Sequence, residues 1–259
     1  MPETRLSICP LASGSRGNAV LVSGGSSSIL IDAGLSGVEL EKRMRLRGIT
    51  PDTLTAIVIT HEHNDHVQSA GVLSRRFNIP VYITQKTCRA ASSKLGRLDH
   101  VRHFECGVSF KIGNIAIKPF SISHDAEDPV GLTLEHQSAK IGIATDMGVV
   151  TTLVKEHLKG CAILYVEANH DSDMLINGPY PWYLKQRVKG RTGHLSNLDT
   201  REMLTEIRSK DLRHVILAHL SQQNNTPDMA FRTVGECLDT ACTTLTVASP
   251  DHPGEIISI

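Results

Sequence analysis

The sequence predicts an α/β protein: two β-sheets with helices packed on their outer faces, folded as one domain over residues 1–259. Three observations carry this reading. Short apolar runs rich in Val and Ile recur along the whole chain, each of strand length and bounded by Gly, Asn, Ser or Pro. Longer stretches with helical signals lie between them. No linker is long enough to divide the 259 residues, and a chain of that length can bury a sizeable core.

In chain order the strand-like runs are LSICPL, NAVLVS, SSILIDAG, TAIVIT, VYIT, NIAIKPFSIS, GLTLEH, AKIGIATD, AILYVEA, HVILAH and EIISI. Several follow one another closely, as strands joined in hairpins do. The first helix is GVELEKRMRLRG, with Ser36 as its cap and Gly48 at its end. HVQSAGVLSRRF begins inside a histidine-rich motif. TCRAASSKLGR, VVTTLVKEHLK, NLDTREMLTEIRS and TPDMAFRTVGECLDTAC follow. Strand runs mixed with helices in this way place the helices outside two packed sheets. The sequence contains no internal repeat and no low-complexity segment.

Composition narrows the function classes. Lys and Arg total 27 and Asp and Glu total 27. A nucleic-acid binder that relies on global charge carries a basic excess, so any such contact here is local. No stretch approaches the roughly 18 apolar residues of a membrane span. The opening MPETRLSICP lacks the charged-then-apolar layout of a signal peptide. The six cysteines are scattered without a C-x-x-C pair, which reads as reduced thiols in a cytoplasmic protein.

Histidine is the unusual residue, with 13 copies. Residues 59–67, ITHEHNDHV, place His61, His63, Asp65 and His66 within six positions after the apolar run TAIVIT. Imidazole and carboxylate suit a borderline divalent ion, with zinc, manganese and iron all open. His61 and His63 are two apart, so in an extended segment both can face one ion. Asp65 and His66 lie further round the turn and can face a second. Four more apolar runs end in an acid or a histidine: Asp32, His124, Asp146 and His219. One such histidine is commonly structural, but several beside a dense motif indicate a metal centre.

This pattern resembles the metallo-β-lactamase superfamily over nearly the whole chain. The resemblance implies a four-layer αββα sandwich with two divalent metal ions at one edge of the sheets. It implies that His61, His63 and His124 hold the first ion, that Asp65, His66 and His219 hold the second, and that Asp146 bridges them. Asp32 then orients ligands rather than binding metal. Aspartate at 146 resembles the dinuclear hydrolases of phosphodiesters, thioesters and lactones. Two such ions, roughly 3.5–4 Å apart, lower the pKa of a shared water, and the hydroxide attacks phosphorus or a carbonyl carbon.

Further stretches bear on substrate. LASGSRGNA, residues 11–19, is either a phosphate cradle using Ser13, Ser15 and Asn18 or an ordinary hairpin loop. VEANHD carries Glu167 and His170, GHLSN carries His194 and Ser196, and HLSQQNN carries Asn225. The plainer alternatives are helix-start support for His194 and a turn for Asn225. Together these stretches resemble the WalJ (YycJ) branch, related to ribonuclease Z and to the PhnP phosphodiesterases. That implies a phosphodiesterase acting on DNA as a 5′-to-3′ exonuclease. The alternative is a small-molecule hydrolase of a cyclic nucleotide, thioester or lactone. The likeness to ribonuclease Z implies a proton relay of Glu167, His194 and Asp65. Only about 70 residues separate Asp146 from His219, so the extra domain of the β-CASP nucleases has no room. Substrate recognition then falls to short loops such as 171–193, or to a second subunit of a homo-oligomer.

Overall fold

The computed structural model describes residues 5–259. The MPET that opens the stretch read above as lacking a leader lies outside the described residues. Six strands in the first half are β1 (Ser7–Ala12), β2 (Ala19–Gly24), β3 (Ser27–Ile31), β4 (Ala56–Val58), β5 (Val81–Ile83) and β6 (Val101–His103). The second half adds β7 (Phe110–Ile112), β8 (Ile115–Ser121), β9 (Val130–His136), β10 (Ala139–Ala144), β11 (Ile163–Glu167), β12 (His214–Ala218) and β13 (Thr244–Val247). The last strand, β14 (Ile257–Ser258), returns to the first sheet.

The helices are α1 (Gly37–Arg45), α2 (Asn64–Val67), α3 (Ala70–Phe77), α4 (Gln85–Ala90) and α5 (Ser92–Leu95) on the first half. On the second half they are α6 (Thr152–Leu158), α7 (Ser172–Asn177), α8 (Trp182–Val188), α9 (Asn197–Ile207) and α10 (Pro227–Gly235). The expected helix over 66–77 is split at Ser69, and α2 begins three residues into the histidine motif. The expected helix from 226 ends at Gly235, before the second half of its apolar pattern.

The two sheets repeat one plan. Their orders are β14-β1-β2-β3-β4-β5-β6 and β13-β12-β11-β10-β9-β8-β7. In the first, pairing is antiparallel up to β3 and parallel from β3 to β6. In the second it is antiparallel from β7 to β10 and parallel from β10 to β13. The central strands β3 and β10 are therefore the switch points, and ligands of open sheets bind beyond the carboxyl ends of strands at such points.

Strand periodicity explains the layers. Side chains alternate between faces, so Ile29 and Ile31 of β3 enter the core between the sheets, with Val20, Val22, Leu132, Ile143, Tyr165 and Ile216. Leu30 points the other way, into a second cluster with Leu40 and Met44 of α1 and Leu73 of α3. Leu164 and Val166 of β11 meet Leu158 of α6, Leu204 of α9 and Val234 of α10 in a third. Each fully buried Leu or Ile contributes about 1.5–3 kcal/mol. The result is helix, sheet, sheet, helix, as expected. No helix among the described residues is long and apolar enough to cross a membrane.

All six cysteines are free. Burial pushes the Cys9 thiol up to about 11 and the Cys161 thiol up to about 12, so neither supplies much reactive thiolate at neutral pH. Cys242 is exposed. A thiol-reactive disulfide reagent should label Cys242 in the folded protein and reach Cys9 and Cys161 only after denaturant is added. Prompt labelling of Cys161 in the native protein would contradict this packing.

Candidate metal centre

The parallel strands deliver the polar residues to one edge. Asp32 follows β3, His61 lies three residues past β4, Asp146 follows β10, Glu167 ends β11 and His219 follows β12. His124 lies three residues past β8. Asp32, Asp146 and His219 have φ of 60°, 61° and 54°. That left-handed conformation is uncommon outside glycine, with Asp and His among the residues that tolerate it best. It costs on the order of 1–3 kcal/mol each. Each of the three sits one or two residues past the end of its strand.

The loops are locked together by their backbones. Asn18 N–H donates to Asp65 O at 2.7 Å, Ala33 N–H to His66 O at 2.7 Å, and Gly34 N–H to Asn18 O at 2.9 Å. Gly34 is required there, because a Cβ would lie 1.6 Å from the Asp65 carbonyl oxygen. On the other side Gly148 packs against 191–193 so closely that a Cβ would lie 2.4 Å from the Arg191 backbone.

The side chains converge in overlapping groups: His61, His63 and His124; Asp65, His66 and His219; His61, His66 and Asp146; and Asp146, Glu167, His194 and His219. Each group's candidate ligand atoms lie within 4.8 Å of one another. His63 Nδ1 is 3.2 Å from His61 Nε2 and 3.2 Å from His124 Nε2. Asp146 lies between the sets: one oxygen is 3.4 Å from His66 Nε2, and the other is 3.3 Å from His219 Nδ1 and 3.8 Å from His124 Nε2.

The opposite ring atoms are braced. His66 Nδ1 meets Asp32 Oδ2 at 2.7 Å. Thr60 donates to both oxygens of Asp32, through its N–H and its hydroxyl, each at 2.8 Å, and that hydroxyl lies 3.1 Å from His61 Nδ1. His124 Nδ1 faces the Gly193 carbonyl at 3.3 Å. Glu167 Oε1 takes His194 Nδ1 at 2.8 Å and His219 Nδ1 at 2.9 Å, while Met147 N–H and Leu195 N–H donate to its Oε2. Such partners fix the tautomer and aim the other nitrogen at a metal.

The buried atoms left over fit a cation. Asp146 Oδ2 and His219 Nε2 are buried with no hydrogen-bond partner. Burial, reinforced by the neighbouring imidazoles, holds His61 well below the usual histidine range, so it is neutral, as a ligand must be. Around His66 burial opposes the charged form, but Asp32, Asp146 and Asp65 outweigh it and push the pKa up to about 9. His219 is raised against its burial by Asp146, Asp65 and Glu167. Those protons occupy the place of positive charge that a divalent ion would supply.

The group opens onto a cleft of about 380 Å³ that includes His63, Asp65, His124, Asp146, His194 and His219. Of the residues expected to touch substrate, Ser15 lines it. Ser13, Asn18, Ser196 and Asn225 are buried braces. Ser13 Oγ accepts from His219 N–H at 2.7 Å, Asn18 bonds the Asp65 carboxylate at 3.1 Å, Ser196 caps α9, and Asn225 donates to the Ala168 and Asn169 carbonyls. His170 is buried and bridges to Ser196. Sequence reasoning missed Thr60, Tyr180 and Leu184. Thr60 stands next to the motif in ITHEH, but nothing in its spacing marks it as the link between Asp32 and His61.

Two outcomes follow from this geometry. Asp32→Asn keeps the left-handed position but turns an amide N–H₂ toward His66 or Thr60. Metal affinity should fall by about 10- to 100-fold, read by competition with a coloured chelator; an unaltered affinity would remove Asp32 from the site. The metal-free protein should be most stable near neutrality. His66 adds stability below its unfolded value of about 6.5 that is lost as pH rises through about 9. His61 adds stability above 6.5 that is lost as pH falls, because burial keeps it neutral. Urea unfolding of chelator-treated protein across this range tests both limbs, and a steady rise from pH 6.5 to 9 would contradict the first.

Comparison with known proteins agrees with this architecture. Residues 27–220 match the model of the beta-lactamase superfamily domain. Exodeoxyribonuclease YycJ of Bacillus anthracis is 35% identical over 231 residues, covering 88% of each chain. Exodeoxyribonuclease WalJ of Streptococcus pneumoniae serotype 2 (strain D39) is 35% identical over 238 residues, covering 90% of this chain and 88% of that one. The crystal structure of the metallo-beta-lactamase fold protein YhfI from Bacillus subtilis superposes with a TM-score of 0.76 at 16% identity, over 98% of this chain and 99% of that one. The switch-point sheets, the histidine motif and these relatives place the chain in the metallo-β-lactamase superfamily, in the branch that contains YycJ and WalJ.

Proposed function

We propose that this metal-dependent hydrolase is a dinuclear phosphodiesterase acting on DNA as a 5′-to-3′ exonuclease, with residues 1–259 working as one domain. The observation that carries it is the pair of ligand groups joined through Asp146. In this reading His61, His63 and His124 would hold one divalent ion, Asp65, His66 and His219 would hold a second, and Asp146, placed between the two sets, would be shared by them. Zinc, manganese and iron all suit the donor set. Two such ions supply Lewis acidity that activates water for attack on phosphorus and neutralises charge on the phosphoryl oxygens. The nucleic-acid assignment rests on the relatives named exodeoxyribonuclease.

The chain's own residues then position and move protons. Glu167, fully buried, is held ionised: burial opposes this, but His194 and His219 outweigh it. Its Oε1 fixes His194 through Nδ1, leaving Nε2 of a cleft-lining imidazole for the departing oxygen. His194 therefore gives a proton to the leaving group while Glu167 orients it. Asp65 stands beside His66 and His219, so its part in the relay is to hold the metal side. Glu167 also fixes His219, which couples the proton donor to the ligand set.

His194→Ala should lower kcat by about 10²- to 10⁴-fold on a natural phosphodiester, and by much less on bis(p-nitrophenyl) phosphate, whose leaving group needs no proton. Equal losses on both would remove His194 as the acid. For the substrate, stripped protein is reloaded with manganese or zinc and given a 5′-phosphorylated, internally labelled DNA duplex, beside an Asp65→Ala, His66→Ala variant. Release of nucleotides from the 5′ end by wild type alone is expected. An intact duplex with bis(p-nitrophenyl) phosphate still cut would move the substrate to a small phosphodiester.

A further inference from the structure

The stretch GPYPWYLKQRVKGRTG, residues 178–193, is not used by the chemistry above. The chain has one tryptophan and four tyrosines; the tryptophan and two of the tyrosines, Tyr180, Trp182 and Tyr183, fall within four positions here. Trp182 is 68% exposed and Tyr183 is 74% exposed, the tyrosine being among the most exposed large apolar residues described. Aromatic side chains carry a large apolar surface that folding ordinarily buries. Lys185, Arg187, Lys189 and Arg191 follow, with no acid between 174 and 198, in a chain of zero net charge.

Helical spacing sorts these residues. Leu184, Arg187 and Val188 share one face of α8 and, with Tyr180, line the cleft. The Arg187 guanidinium is fixed there by Asp125, at 2.8 and 2.7 Å. Trp182 and Lys189 are seven apart and share the outer face, the ammonium lying 5.6 Å from the ring centroid. α8 is thus a wall one helix thick, about 10–12 Å, with the reaction on one side and an aromatic, cationic surface on the other.

We propose that the exposed surface of α8 binds the single-stranded part of a nucleic-acid substrate, with Trp182 on the outer face and Tyr183 on the flank toward Arg187 stacking on bases and Lys189 holding phosphate. This rests on the nuclease reading and deepens it. Flat aromatic faces interleaved with cations are what unstacked bases on a charged backbone require, and stacking tolerates any base. Continuity with the cleft makes the bound nucleotides near neighbours of the one being cut. A second copy of this chain is the less fitting occupant: a two-fold contact sets a patch against itself, bringing Lys189 against its own counterpart.

Trp182 is the sole tryptophan, so its fluorescence reports this surface directly. Metal-loaded protein is titrated with a phosphorothioate-linked oligothymidylate, which resists cutting, and with an abasic oligomer of equal length. Saturable quenching by the first and little by the second is expected. The ratio of kcat/KM for a single-stranded oligonucleotide to that for bis(p-nitrophenyl) phosphate should fall about 5- to 100-fold in Trp182→Ala, Tyr183→Ala, with Trp182→Phe retaining part of the preference. Equal quenching by both oligomers, or an unchanged ratio while the oligonucleotide is still cut, overturns the stacking surface alone. A wild-type protein that cuts no oligonucleotide overturns the nuclease reading and this inference with it. Self-association that weakens in the double variant would assign the surface to a second copy instead.

Discussion

Everything at the sheet edge depends on one electrostatic constraint: too many electron-pair donors occupy too little buried space. His61, His66, Asp146 and His219 are all nearly inaccessible, yet their ligand atoms face one another. Without a cation, the carboxylates and imidazoles coexist by holding protons between them, which raises His66 and His219 against their burial, while burial and the neighbouring imidazoles keep His61 low. A buried charge without a partner is strongly unfavourable. The surrounding structure therefore resists collapse of the cluster. Asp32, Thr60, the Gly193 carbonyl and Glu167 hold each imidazole by the ring atom that faces away.

That bracing is a property of the fold. Both sheets change from antiparallel to parallel at their central strands, and an aspartate in left-handed conformation follows each, Asp32 after β3 and Asp146 after β10. The two positions are equivalent in the plan of their sheets but differ in use. Asp32 turns to the back of His66, whereas Asp146 turns into the middle of the cluster. Three strained residues persist because hydrogen bonds and packing across several loops over-determine them. Gly34 and Gly148 complete the arrangement by letting loops touch backbone to backbone.

Much of this was legible in the sequence. The αββα layering follows from strand-length runs whose alternate residues feed different clusters, and the motif ITHEHNDHV announced its own chemistry. The partners were harder to read. Ser13, Asn18, Ser196 and Asn225 sit in short polar motifs that look ligand-facing, and spacing alone does not say whether a polar side chain points to solvent or to a neighbouring loop. Glu167 was legible as a partner of His194, but its second bond to His219 depends on β11 and β12 being parallel neighbours. Helix α8 was hidden because Pro179, Pro181 and Gly190 punctuate a basic run, the pattern of a loop; Pro181 is instead its N-cap. The mirrored sheet plan left no sequence repeat, since topology constrains pairing direction and not residue identity.

The central proposal is that the cluster would hold two ions that share Asp146. Manganese titration followed by electron paramagnetic resonance tests this most directly. The account predicts two manganese ions per chain with an exchange-coupled spectrum, lost in Asp146→Ala in favour of isolated-ion signals. A single ion per chain, or two ions with uncoupled spectra in the wild type, would contradict it.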